Sequence, residues 1–195
     1  QKGSEFKNFK NLEILKEVET KVPEEAKQAI QNAQENAFNR LQAELENLES
    51  TKKAIFEEFV KNIGGSEIRH LEIINELESR PISKELREVL LGAKEQVFSK
   101  TETRLSGLSQ ENKEIFVEHL GEGNLEDFRI LNELQNNIAS GVISGISNVA
   151  TRAETGFIKK IESTGQNEVQ KKEFLGSIER FHDAKSISVL NEIEK

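Results

Sequence analysis

Three histidines are the side chains best suited to chemistry in this chain, and they stand far apart, at His70, His119 and His182. Imidazole can move protons near neutral pH or ligate a metal. A zinc site needs ligands at a set spacing such as HExxH, and that motif is missing. Haem is disfavoured further by the lack of Cys and Met ligands. The three histidines fall at different positions of the pattern described below, so they read as unrelated surface or boundary residues. Carboxylate pairs come next, at Glu24/Glu25, Glu44/Glu46 and Glu57/Glu58. Paired carboxylates do acid–base work in a cleft. On an amphipathic helix they are a solvated face, and Glu13–Lys16–Glu17 and Glu168–Lys171/Lys172 have the spacing of surface ion pairs.

No Walker loop, GxGxxG or EF-hand loop occurs, and Gly121-x-Gly123 is a turn. Serines such as Ser66, Ser109 and Ser140 sit where helices break, which capping explains. Gly141-x-x-x-Gly145 is a small-residue face that lets another helix approach closely. We therefore expect no catalytic residues, no cofactor site, no metal site and no enzyme.

The elements that carry these residues are helices in a tandem repeat. Leu12 opens LEILKEVE, Leu71 opens LEIINELE, Phe128 opens FRILNELQ and Ile187 opens ISVLNEIE, at offsets of 59, 57 and 59 residues. The first, third, fourth and seventh positions are apolar each time. Downstream, the offset from the first copy to the second is a steady 60 residues: Ala26 falls on Leu86, Ala33 on Ala93, Phe38 on Phe98, Ile55 on Ile115 and Val60 on Leu120. The third copy follows with small shifts through Val142, Ile146, Val149, Ala153, Phe157 and Ile161, then Phe174 and Ile178. Periods of this size mark stacked supersecondary units.

Each copy reads as three helices. Helix A is the recurring segment. Helix B is long, from about Pro23 to Leu48 in the first copy, with apolar residues advancing by three or four. Pro23 suits its first turn, and Glu24 and Glu25 complement the dipole there. Helix C runs from about Thr51 to Ile63. Gly64-Gly65 ends the copy, with Ser66, Asn124 and Asp183 as N-caps of the next helix A. The expected fold class is all-α, a tandem repeat of three-helix units stacked into an elongated array. The expected boundaries are 7–65, 66–123, 124–182 and a capping first helix at 183–195, with 1–6 a cloning remnant because Gly3-Ser4-Glu5-Phe6 looks like translated restriction sites.

Composition bounds the partners. Hydrophobic residues make up 35% and charged residues 32%, apolar-poor for one compact core but ordinary for an array in which each unit covers its neighbour. A net charge of −8 without a basic block disfavours nucleic acid and anionic lipid. Cysteine is absent, which excludes disulfides and fits either redox compartment. No apolar run approaches the ~20 residues that span a bilayer.

The Arg69-His70-Leu71-Glu72 start of one helix and Val22-Pro23-Glu24-Glu25-Ala26-Lys27 at the start of another resemble a helical domain of unknown function found in secreted or membrane-anchored prokaryotic proteins. The second motif is complete only in the first copy; Arg80-Pro81-Ile82-Ser83 and Asn136-Asn137-Ile138-Ala139 replace it in the next two. The resemblance implies an all-α fold and an extracytoplasmic setting, in the cell envelope or secreted, and brings no activity. The function expected is that of a spacer, scaffold or protein-binding array, as a monomer with an unidentified protein partner. The other reading is a ligand-binding helical domain, holding a lipid, peptide or metal between helices lined by Ala29, Ala33 and Ala37.

Overall fold

The structure, a computed structural model, describes residues 6–118, 120 and 125–143, with single positions at 146, 149, 151, 152, 155 and 159; of Ser50, Thr51, Lys52, Leu125 and Phe128 it describes the backbone alone. His119, His182, Gly145, the later apolar positions of the third copy and the whole fourth helix A lie outside the described residues. The fold is all-α, with no strand among the described residues. Its helices are α1 (Lys7–Glu19), α2 (Glu24–Glu46), α3 (Ser50–Asn62), α4 (Glu67–Ser79), α5 (Lys84–Ser106), α6 (Gln110–Val117), α7 (Leu125–Asn137) and α8 (Ser140–Ile143). α1, α4 and α7 each have 13 residues, and α2 and α5 each have 23.

Local chemistry sets these boundaries. Pro23 is extended, with φ −66° and ψ 159°, and stands one position ahead of α2 instead of inside its first turn. Its fixed φ launches the helix without an N–H to satisfy. Ser66 caps α4, its hydroxyl accepting the Arg69 N–H at 3.4 Å, and Ser109 caps α6 by accepting the Asn112 N–H at 3.3 Å. Gly65 has φ +107°, and a methyl group there would run into the Glu13 carboxylate, so the turn between α3 and α4 needs glycine. Among the described residues, no neighbouring helix atom comes within 4 Å of where a Cβ would sit on Gly141, and its partner position Gly145 lies outside the described residues. A close approach between helices occurs at Gly92 in α5, where the Glu57 carboxylate of α3 lies 2.5 Å from the Cβ position.

The chain divides into two compact units, Gln1–Thr101 and Glu102–Lys195. In the first, Phe6, Phe9, Phe56 and Phe59 form an aromatic cluster with ring centroids 4.9 to 6.3 Å apart, mostly edge-on or tilted. Such pairs add about 0.5–1.5 kcal/mol beyond the area they bury. Phe6 lies among the six residues expected to be a cloning remnant, yet its ring is buried and its N–H is accepted by Glu44 at 3.3 Å. Leu12, Leu41, Leu71, Ile74 and Leu90 extend this core. Arg80, just past α4, reaches α2: its guanidinium donates to Glu35 and Asn39 at 3.1 Å and lies over the Phe38 ring at 4.8 Å. In the second unit Leu105, Val117, Ile130, Leu131 and Leu134 are buried, and Arg104 covers the Phe116 ring at 5.1 Å.

One polar contact occurs in both units. Glu46 of α2 accepts the N–H of Ser83, the residue before α5, at 2.8 Å; Glu102 of α5 accepts the N–H of Ala139, the residue before α8, at 3.2 Å. Both pairs are 37 residues apart. A carboxylate satisfies an otherwise orphaned donor at a helix N-terminus each time.

Candidate functional site

The carboxylates that could have done acid–base work do not converge. Glu24 pairs with Lys27 at 2.6 Å in the first turn of α2. Glu44 and Glu46 hold the backbone N–H groups of Phe6 and Ser83. Glu57 packs at Gly92, and Glu58 stays on its own helix with Asn62. Glu17 meets Lys21, and Glu13 turns away from Lys16 to another helix. Among the described residues no three His, Cys, Asp or Glu side chains gather as metal ligands. No helix among the described residues is long and apolar enough to cross a membrane.

His70 is the one histidine the described residues include, and it corrects the expectation of a surface or boundary position: its side chain is 0% exposed. Its Nε2 lies 3.3 Å from Glu13 Oε1, at angles too oblique for an aligned hydrogen bond, and its ring packs 5.6 Å from Phe9. Glu13 also accepts the Ser66 N–H at 3.2 Å. The carboxylate therefore ties α1 to the start of α4. Burial pushes the Glu13 carboxyl up, but the His70 imidazole, the Ser66 N–H and the Lys100 charge together outweigh it and hold it below its ordinary 4.5.

A carboxyl lowered on folding adds stability that is complete above its unfolded value, near 4.5, and is lost as pH falls through the lowered folded value. Wild type is expected to melt above Glu13→Gln at pH 7, with the gap closing as pH drops from about 5 towards 3. Thermal melts at four pH values check this; a gap independent of pH would show that Glu13 acts through shape alone.

The described residues include two surface grooves. One, about 1010 Å³, runs between α1 and α3 and is lined by Lys10, Ala54, Ile55, Glu58, Phe59 and Ile63 among others. It is apolar in its body, with the Lys10 ammonium 5.5 Å from the Phe59 ring centroid and Glu58 as a second charged edge. Ile55 on this groove is 41% exposed; Ile115 on α6, 60 residues later, is 58% exposed. The other groove, about 410 Å³, lies between α1 and α2 and includes Ala33 and Ala37, two of the three alanines expected to line an inter-helix pocket. Ala29 is exposed on α2. The charged residues at these grooves were legible only as a solvated face, because nothing in a single helix says which of its neighbours stops short.

Fold and site together define an all-α helical chain with open apolar grooves. No protein-family model matches it, and neither a curated protein nor a solved structure matches.

Proposed function

We propose that this chain is a non-catalytic helical repeat module, a spacer or scaffold that also offers a surface to a protein partner. Successive segments of about 58 residues would each contribute three helices, A, B and C, stacked in an array with repeats at 7–65, 66–123 and 124–182. Support for the register comes from the matched lengths of α1, α4 and α7 and of α2 and α5. The observation that carries the binding role is the recurrence of an exposed isoleucine at one register of helix C, Ile55 on α3 and Ile115 on α6. A large apolar side chain held in water at the same repeat position suits a partner that reads the array periodically, as helices and extended peptides do. The motif resemblance favours an extracytoplasmic parent, in the envelope or secreted.

Small-angle scattering tests the array. A compact chain of this length has a radius of gyration of about 16 Å. A stack of repeats is expected to exceed about 20 Å. A value near the compact limit would remove the array and leave only a helical domain.

A further inference from the structure

The α1–α2 groove differs in kind from the surface expected of this chain. Asp and Glu make up 35 of its 195 residues, yet among the described residues no carboxylate lines this groove. The floor is aliphatic, with Ile14 59% exposed beside Ala33. The rim carries three side-chain amides, Asn8, Asn11 and Asn36, and Arg40 at one end. An amide both donates and accepts, so a surface of amides and alkyl groups can complement itself. Depletion of charge around an apolar centre is also the composition of an interface core.

The equivalent face of α4 and α5 is closed: Ile73 is 0% exposed, and Leu86, Val89, Leu90 and Ala93 are buried. Two carboxylates take part in that closure, Glu13 of α1 at His70 and Glu57 of α3 over Gly92. The α1–α2 face is not built for a neighbour of that kind. Asn32 stands at the register of Gly92, so the opening that admits the Glu57 carboxylate has no counterpart. Asn11 stands at the register of His70. Charge then sets a direction. Arg40 and Glu25 are both exposed on α2, 15 residues apart, with Ala33 close to midway. That spacing is about four turns, or about 22 Å, so the two share a side of the helix. Among the described residues neither is in an ion pair. Two α2 helices crossing antiparallel near Ala33 bring each Arg40 towards Glu25 of the other copy. A parallel crossing would bring like charge to like.

We propose that the α1–α2 groove pairs with the same groove of a second copy of this chain, α2 antiparallel to α2 about a two-fold axis near Ala33. Ile14 and Ala33 supply the apolar centre, the asparagine amides bond across it, and Arg40 and Glu25 pair at both ends. One patch meeting itself closes at the dimer. The dimer takes the place of the monomer expected from the sequence, and its surface is separate from the exposed isoleucines of α3 and α6.

Sedimentation equilibrium of the full chain, from about 10 μM to about 1 mM, tests it. The expected result is a weight-average mass that rises to twice the monomer and stops there. Ile14→Glu is expected to weaken association at least about tenfold, while Ile115→Glu, away from the groove, leaves it unchanged. Arg40→Glu sets like charges together at both ends and is expected to weaken association about tenfold. Adding Glu25→Arg to that chain restores the pairs with their signs exchanged, and association is expected to return to within about threefold of wild type. All four positions are exposed, and circular dichroism checks that each variant is folded. A monomer at all concentrations overturns the proposal and leaves the groove to a foreign partner. A mass that climbs past the dimer overturns it too, as does equal association by Ile14→Glu or a charge exchange that restores nothing.

Discussion

Ile73→Asp is expected to unfold the first unit, and Ile14→Asp to leave it folded. The two residues are the same type at the same place in the recurring segment, yet Ile73 is 0% exposed and Ile14 is 59% exposed. Burying Ile73 contributes about 1.5–3 kcal/mol of transfer free energy. An aspartate in its place forfeits that and puts an unpaired carboxylate in an apolar site, a further several kcal/mol. The sum rivals the ~5–15 kcal/mol total of a typical domain. Ile14 has most of its surface in water already, and substitutions there fall within about ±0.5 kcal/mol. Urea unfolding followed by circular dichroism separates the two, and similar losses at both positions would mean that α4 is not sheltered in the way described.

The second large effect belongs to the buried ion pair between Lys94 of α5 and Glu78 of α4. Lys94 Nζ lies 2.6 Å from Glu78 Oε2, and the side chains are 8% and 10% exposed. Two charges taken out of water recover much of their desolvation cost through each other. Lys94→Met removes this cation from beside a buried carboxylate and is expected to lower stability by about 3 kcal/mol or more. Adding Glu78→Leu removes the buried carboxylate as well and is expected to restore most of that loss, because a well-packed apolar pair often equals a buried ionic one. A double variant as unstable as the single one would show that the pair acts by holding helix geometry through its other contacts.

Helix existence and approximate bounds were legible in the sequence because each rests on local chemistry. Pro23, Gly65 and Ser66 punctuate the chain, and the spacing of Leu41 and Leu45 marks the buried side of α2. The observed α2 and α3, Glu24–Glu46 and Ser50–Asn62, lie within two residues of the ranges read from spacing. Covering was not legible. Ile14 and Ile73 look identical in a window of eight residues, and only a neighbour in space distinguishes them. The Glu13–His70 contact joins residues 57 apart in sequence, and no short motif announces such a pair. Lys94 and Glu78 belong to different helices, so the i, i+4 rule that read other charges as surface pairs has no purchase on them. Phe6 was set aside on the look of its neighbours, and its ring found Phe56 at 4.9 Å and Phe59 at 5.1 Å regardless.

Amide hydrogen exchange resolved by residue asks most directly whether one segment shelters the next. The stretch Leu86–Ala93 of α5 and its equivalent Ala26–Ala33 of α2 share register and helix type but differ in cover. Protection in the covered stretch is expected to exceed that in the open one by at least about tenfold, since local opening is easiest where few apolar contacts hold a helix down. Equal protection along both stretches would contradict the sheltering on which the repeat reading depends.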